Sequence, residues 1–294
     1  MNGRKVLNEL IKLFVGVNII LFIINYMCKG NQYIISSDRV KNIVSLLEDD
    51  GIFVNTEITR GYAPKSFVNM VYIGSGVAVR DEIGKNFFKD SWTNVRRSTL
   101  VSKKTGSNIM CYTFGNETLG YDGNEIQYVN QRAFITGKKP TLDKAKSMGN
   151  KFIERFGKKW SQNKYHIVQE EGQDGWKLTY YPMVDGIPVM DSYIEVGIDG
   201  KGVYRATLCL ADMNIISGQK QDIFAIDLIL FGIEDYMLKN QYTQINNISI
   251  CYMQEENEEN VLGQKVIPVY KIDVDGLEES IFVNAYTNEI LRKC

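Results

Sequence analysis

Residues 137–157, GKKPTLDKAKSMGNKFIERFG, decide how this chain is divided and what each part is built from. Gly137-Lys-Lys-Pro140 is a breaker cluster between two patterned regions. Thr141 stands where a helix N-cap belongs. Leu142, Ala145, Met148, Phe152, Ile153 and Phe156 then recur at helical spacing, which predicts one apolar face. Strand patterns follow at once: KYHIVQE, GWKLTYYPMVDG, IPVMDSYIEVGID and GVYRATLCLAD. The order then repeats. A second helix is predicted over about Phe224 to Lys239, with Ile226, Ile229, Leu230, Ile233 and Met237 apolar. SICYMQE, KVIPVYKIDVDG, ESIFVNAY and EILRKC supply its strands, and DGIPV and DGLEESIFV occupy like places in the two sets. Each half therefore reads as one helix laid on a small antiparallel sheet, an α+β arrangement, over 141–216 and 220–294.

Upstream of the boundary, residues 33–137 read as a further α+β unit. Ser36 or Ser37 caps a helix with Asp38 in its first turn, Val40, Ile43, Val44 and Leu47 on one face, and Gly51 as its stop. GIFVNTEI and SFVNMVYIG follow as strands and RDEIGKNFFKD as a short helix. NIMCYTF, ETLGYDG and EIQYVNQ form a meander, with YDGN as a tight turn.

The extreme N-terminus is different in kind. LFVGVNIILFIINYMC, residues 13–28, is apolar, and Arg4, Lys5 and Lys12 precede it with Glu9 the only acid. A cleaved signal needs small residues near its end, and Ile24-Asn25-Tyr26-Met27-Cys28 supplies none. Met27 likewise stands where a lipoprotein signal would carry a small residue. An uncleaved anchor is the expectation. Residues 1–12 would be cytoplasmic by the positive flank and everything after Lys29 extracytoplasmic, at the cell membrane. A crossing needs about 20 residues, and counting from Leu10 with Lys12 snorkelling nearly supplies them. Asn18 and Asn25 lie seven apart, within roughly 20° of one helix face. An amide in hydrocarbon is costly without a partner, so this pair is the candidate partner-binding face.

The 294 residues carry a net charge of −1, and without residues 1–30 they hold 30 Lys/Arg against 34 Asp/Glu. A mildly acidic ectodomain excludes nucleic acid as a natural partner. Cys28, Cys111, Cys209, Cys251 and Cys294 are widely spaced with no CxxC, and the odd count is no disulfide framework, so free thiols are expected. His166 is the only histidine, which removes two-histidine metal sites and leaves one possible base for any triad. HExxH, GxSxG and GxxxxGK[ST] are absent from the sequence. GSG at 74–76 lacks the third glycine of a dinucleotide loop and reads as a turn or bulge. The carboxylates at Asp49-Asp50, Glu170-Glu171 and 255–260 do not follow a calcium-loop pattern. No cofactor, metal or catalytic residue is expected, and binding is favoured over catalysis.

The anchor with VNIILFIIN, then SSDRVKNIVSLLEDDGIFVNTEI, YYPMVDGIPVMDSYIEV and IFVNAYTNEILRKC, resemble the YycI (WalI) family over nearly the whole chain. The last two units also look like a tandem of PepSY-type modules. That family is similar in architecture to its companion YycH. The resemblance implies a single-pass regulator of a WalK (YycG) sensor histidine kinase that controls cell-wall metabolism, acting through transmembrane helix contacts. Its implied partners are that kinase, a YycH-like companion and membrane lipid. It carries no catalytic residue across and does not fix the sign of regulation. PepSY-type modules also resemble inhibitory propeptides, so the alternative is an exported peptidase inhibitor or chaperone.

Overall fold

The computed structural model describes residues 12–22, 32–73, 77–101, 106–131, 138–255 and 264–292. Helix α1 covers residues 12–22. It is followed by α2 (Ser37–Asp49), β1 (Phe53–Val54), β2 (Lys65–Tyr72), α3 (Val77–Phe88) and a 3-10 segment, Lys89–Asn94. A meander of β3 (Arg96–Val101), β4 (Asn108–Phe114), β5 (Glu117–Asp122) and β6 (Glu125–Asn130) comes next. Then come α4 (Leu142–Glu154), α5 (Lys158–Ser161), β7 (Tyr165–Glu171), β8 (Gly175–Val184), β9 (Ile187–Pro188), β10 (Tyr193–Asp199), β11 (Gly202–Cys209) and β12 (Ala211–Gln221). The chain closes with α6 (Ile226–Lys239), β13 (Gln244–Gln254), β14 (Gln264–Val274), β15 (Ile281–Asn284) and β16 (Ile290–Arg292). This is a mixed α+β fold with two sheets.

Two compact units account for these elements, one from Met1–Lys65, Lys220–Ser249 and Tyr270–Cys294, the other from Ser66–Gln219 and Ile250–Val269. In the first, Ser36 caps α2 as its spacing predicts: its Oγ accepts from Arg39 N–H at 3.3 Å. At the other end Gly51, at φ +82°, and Ile52 return hydrogen bonds to Glu48 and Leu47, which closes the helix carbonyls as a Schellman turn does. Ile43 and Leu47 of α2 are buried, and α2 lies against α6. The α6 residues Ile226, Ile229, Leu230, Ile233 and Met237 are buried too, as their periodicity requires. Arg39 ties the two helices by donating from Nε to Asp227 Oδ2 at 2.8 Å. The predicted strand GIFVNTEI shrinks to Phe53–Val54, which runs parallel to Gln244–Ile245. Two residues are all that β13 pairs with there.

The second unit holds a sheet ordered β3-β4-β5-β6-β11-β10-β8-β7, with β9 beside β8. Every neighbouring pair along that path is antiparallel. Arg205–Cys209 of β11 pairs with Val129–Glu125 of β6, so strands from both sides of the GKKP stretch share one sheet. α4 packs on β8, β10 and β11. Its N-cap is Thr141, whose Oγ1 accepts from Lys144 N–H. α3 contributes Ile83, Phe87 and Phe88 to the same core as Phe152 and Phe156, over Tyr112, Leu119, Tyr128, Leu178 and Tyr180. Phe87 is the hub, with ring centroids 5.0 Å from Phe88, 5.0 Å from Phe156 and 5.9 Å from Phe152. Gly149 is required here, because a Cβ on it would collide with the Tyr180 hydroxyl. A smaller core in this unit gathers Val68, Met70, Ile187, Val189, Ala211, Tyr252 and Val266.

The predicted order of one helix followed by four strands is seen after α6, in β13–β16, and also in α3 and β3–β6, whereas the stretch between them carries two helices, α4 and α5, and six strands, β7–β12. The expected single strand IPVMDSYIEVGID is broken into β9 and β10; Ser192, in the break, donates to the Cys209 carbonyl at 3.0 Å.

Candidate functional site

Asn18 lies on α1, where its Nδ2 donates to the Phe14 carbonyl one turn back at 2.8 Å. An amide offers two N–H donors and a carbonyl with two lone pairs, so this local bond uses one capacity of four. Around it the helix is apolar and exposed on every side: Leu13 66%, Phe14 71% and Phe22 71%. Asn25, its expected companion, lies outside the described residues, as do Cys28 and Cys294. Among the described residues no helix is long and apolar enough to cross a membrane. α1 is described over residues 12–22 alone, about half the length a crossing needs.

A second feature is a cleft of about 580 Å³ in the second unit. α3 gives one wall with Ile83 and Asn86, and Phe156, Lys158 and Trp160 give the other. Lys159 pairs with Asp212 at its rim. Gly157, at φ +114°, lets the chain turn out of α4 toward Trp160, and an added Cβ would sit 3.3 Å from the Asn86 amide nitrogen. The short helix α5, which forms this wall, carries no sequence signal beyond Trp160, a single buried aromatic.

Cys111, Cys209 and Cys251 are buried. Burial raises the Cys111 thiol, and burial with the Glu125 and Asp191 charges pushes Cys209 up to about 12, so both stay protonated and inert. His166 lies exposed on β7, opposite Tyr181 on β8. Among the described residues no three His, Cys, Asp or Glu side chains gather as metal ligands. Of the carboxylate clusters, Asp50 is the C-cap of α2, Glu170 pairs with Lys177, and Glu171 pairs with Lys139. Residues 256–263 and 74–76 lie outside the described residues.

Two charged constellations escaped the sequence reading. Arg155 donates to both oxygens of Glu117 at 2.7 and 2.8 Å, Tyr128 donates to the same carboxylate at 2.7 Å, and the guanidinium stacks 3.7 Å from the Phe87 ring centre. Tyr112 donates to Asp81 at 2.6 Å while Arg97 reaches the other Asp81 oxygen at 3.2 Å. Both join a helix to the meander and are structural. Their hydrogen-bonded pairs lie 11 to 38 residues apart, beyond any local pattern.

No family model matches the sequence, and no curated protein matches it. Among solved structures, an uncharacterized protein from Eubacterium rectale is similar with a TM-score of 0.53 and 13% identity, over 83% of this chain and 90% of that one. That likeness is one of fold. The Bacillus megaterium YpeB C-terminal domain aligns with a TM-score of 0.40 and 11% identity, over 74% of this chain and 96% of that domain.

Proposed function

We propose that this chain is a membrane-anchored extracytoplasmic regulator that binds a membrane partner through its N-terminal helix. The observation that carries the proposal is α1, a helix whose large apolar side chains are all exposed around a single amide. Such a surface is stable only when covered, by lipid or by another helix. The sequence from Leu10 to Cys28 supplies the length for an anchor, and the basic flank orients it. The resemblance to YycI names the partner as a sensor histidine kinase of the WalK (YycG) type, with a YycH-like companion.

Regulation then requires that the helix pack differently against two kinase states. The bias cannot exceed the difference in packing free energy, and about 1–3 kcal/mol is the scale of such couplings. Asn18→Leu with Asn25→Leu removes the polar face and leaves the folded units untouched. Co-purification of the double variant with the kinase from a Gram-positive host is expected to fall well below wild type. Unchanged co-purification refutes the role of this face. Intact mass and membrane partition test the anchor itself: a chain that begins near residue 28 and is free in the medium removes the helix and favours the exported inhibitor.

A further inference from the structure

The eight-strand path of the second unit ends in two edges of opposite charge. β3 carries Arg96 and Arg97 and has all six side chains exposed, including Leu100 at 56% and Val101 at 68%. β7, at the other end, carries Glu170 and Glu171, with Val168 39% exposed. Because all pairs along the path are antiparallel and the path has an even number of strands, β3 and β7 run in opposite directions. A second copy in the same orientation therefore offers its β3 antiparallel to β7. The faces also agree. Arg97, Thr99 and Val101 share the face of Tyr112, which bonds α3, and Ile167, Gln169 and Glu171 share the face of Tyr180, which packs on α4.

We infer that this chain self-associates head to tail, with β3 of one copy adding to β7 of the next. One register fits the side chains on both faces. It sets Arg97 opposite Glu171, Thr99 opposite Gln169 and Val101 opposite Ile167 on the helix face, with Leu100 opposite Val168 on the other. Apolar side chains meet apolar ones, and the basic end meets the acidic end. The ladder stops at Glu171, since the Gly172 carbonyl is already bonded by Lys139. Arg97 now pairs with Asp81 and Glu171 with Lys139, with those two side chains 55% and 62% exposed, so each can turn toward a neighbouring copy while the 2.6 Å bond from Tyr112 still holds Asp81 to the meander. Main-chain hydrogen bonds and the covered apolar pairs supply the affinity; the charges set register and direction. A head-to-tail contact does not close on itself, so the product is a row of copies.

The test uses the full chain in detergent micelles, with Cys28→Ser and Cys294→Ser as background, the other cysteines being buried. Two differently tagged variants, Leu100→Cys and Val168→Cys, are treated with a short bis-maleimide, alone and mixed. A mixed-tag dimer that forms only in the mixture is the expected result. Sedimentation of the wild-type chain is expected to show mass rising with concentration, at least tenfold less readily in Arg97→Glu and restored in Arg97→Glu with Glu171→Arg. Equal cross-linking alone and mixed overturns the inference, as does Leu100→Cys linking to itself, which is a two-fold β3–β3 contact. A single monomeric species at every concentration also overturns it, and makes the edge charges guards against association.

Discussion

Replacing Arg155 by methionine keeps an unbranched apolar stem and removes the guanidinium with its charge. The structure sets the size of the effect. Two charge-assisted hydrogen bonds, at 2.7 and 2.8 Å, reach a carboxylate whose side chain is 25% exposed, from a guanidinium 30% exposed. Hydrogen bonds to charged groups contribute about 1.5–3 kcal/mol, and partial exposure places this pair toward the lower end. Stacking on Phe87 at 3.7 Å adds about 0.5–1 kcal/mol. The expected loss is about 2–3 kcal/mol in urea unfolding, with Arg155→Met, Glu117→Gln and the double variant completing a cycle. The cycle should return a coupling of about 1–2 kcal/mol. Coupling below about 0.3 kcal/mol, within the additivity error, refutes the assignment of this pair as the clamp between α4 and β5. A pH series gives an independent check. Burial raises the Glu117 carboxyl, but the bonds from Arg155 and Tyr128 and the Arg155 charge outweigh it and leave it below the usual carboxylate value. A lowered carboxylate contributes stability that is present above its unfolded pKa and lost as pH falls through its folded one. Arg155→Met should remove that acid-side loss.

Three further outcomes follow from packing and caps. Gly175→Ala drives a Cβ into the Ile198 carbonyl across the β8–β10 pair, and backbone cannot step aside, so a loss of about 3 kcal/mol is expected by denaturant unfolding. Thr141→Ala should cost about 1 kcal/mol by removing the α4 cap, with Thr141→Ser retaining most of it. Cys209, held at about 12, should resist thiol reagents at pH 8 in the folded chain and react at the ordinary rate in denaturant; fast labelling of the native protein contradicts its burial.

Much of the fold was legible because its signals are local. Ser36 and Thr141 cap the helices that their spacing announced, and Gly51 ends α2 with the positive φ that favours glycine. NIMCYTF, ETLGYDG and EIQYVNQ became β4, β5 and β6, and Gly123 at φ +61° makes the turn in YDGN. The strand β3 gave no such sign. RRSTLV has no buried side chain, so it has no alternation to read; it is a strand because β4 accepts it. Ala211–Gln221 was hidden for a related reason, being placed by its pairing with β2, more than a hundred residues earlier in the chain. Of the candidate site, Asn18 was legible as an amide in an apolar run. The cleft wall formed by α5 was not, because it depends on where Gly157 turns the chain.

Periodicity, caps and turns, read along the sequence alone, determined that this is an α+β chain behind an apolar N-terminal run. These are interactions between residues a few positions apart, and their energies are set by side-chain type. Only the tertiary structure decided that β6 joins β11, that Arg155 finds Glu117, and that two oppositely charged strands stand at the ends of one sheet. Those contacts bring together residues dozens of positions apart. The physical reason is that strand order and register are chosen by which pairing buries the most apolar surface around shared rings such as Phe87, a property of the assembled core.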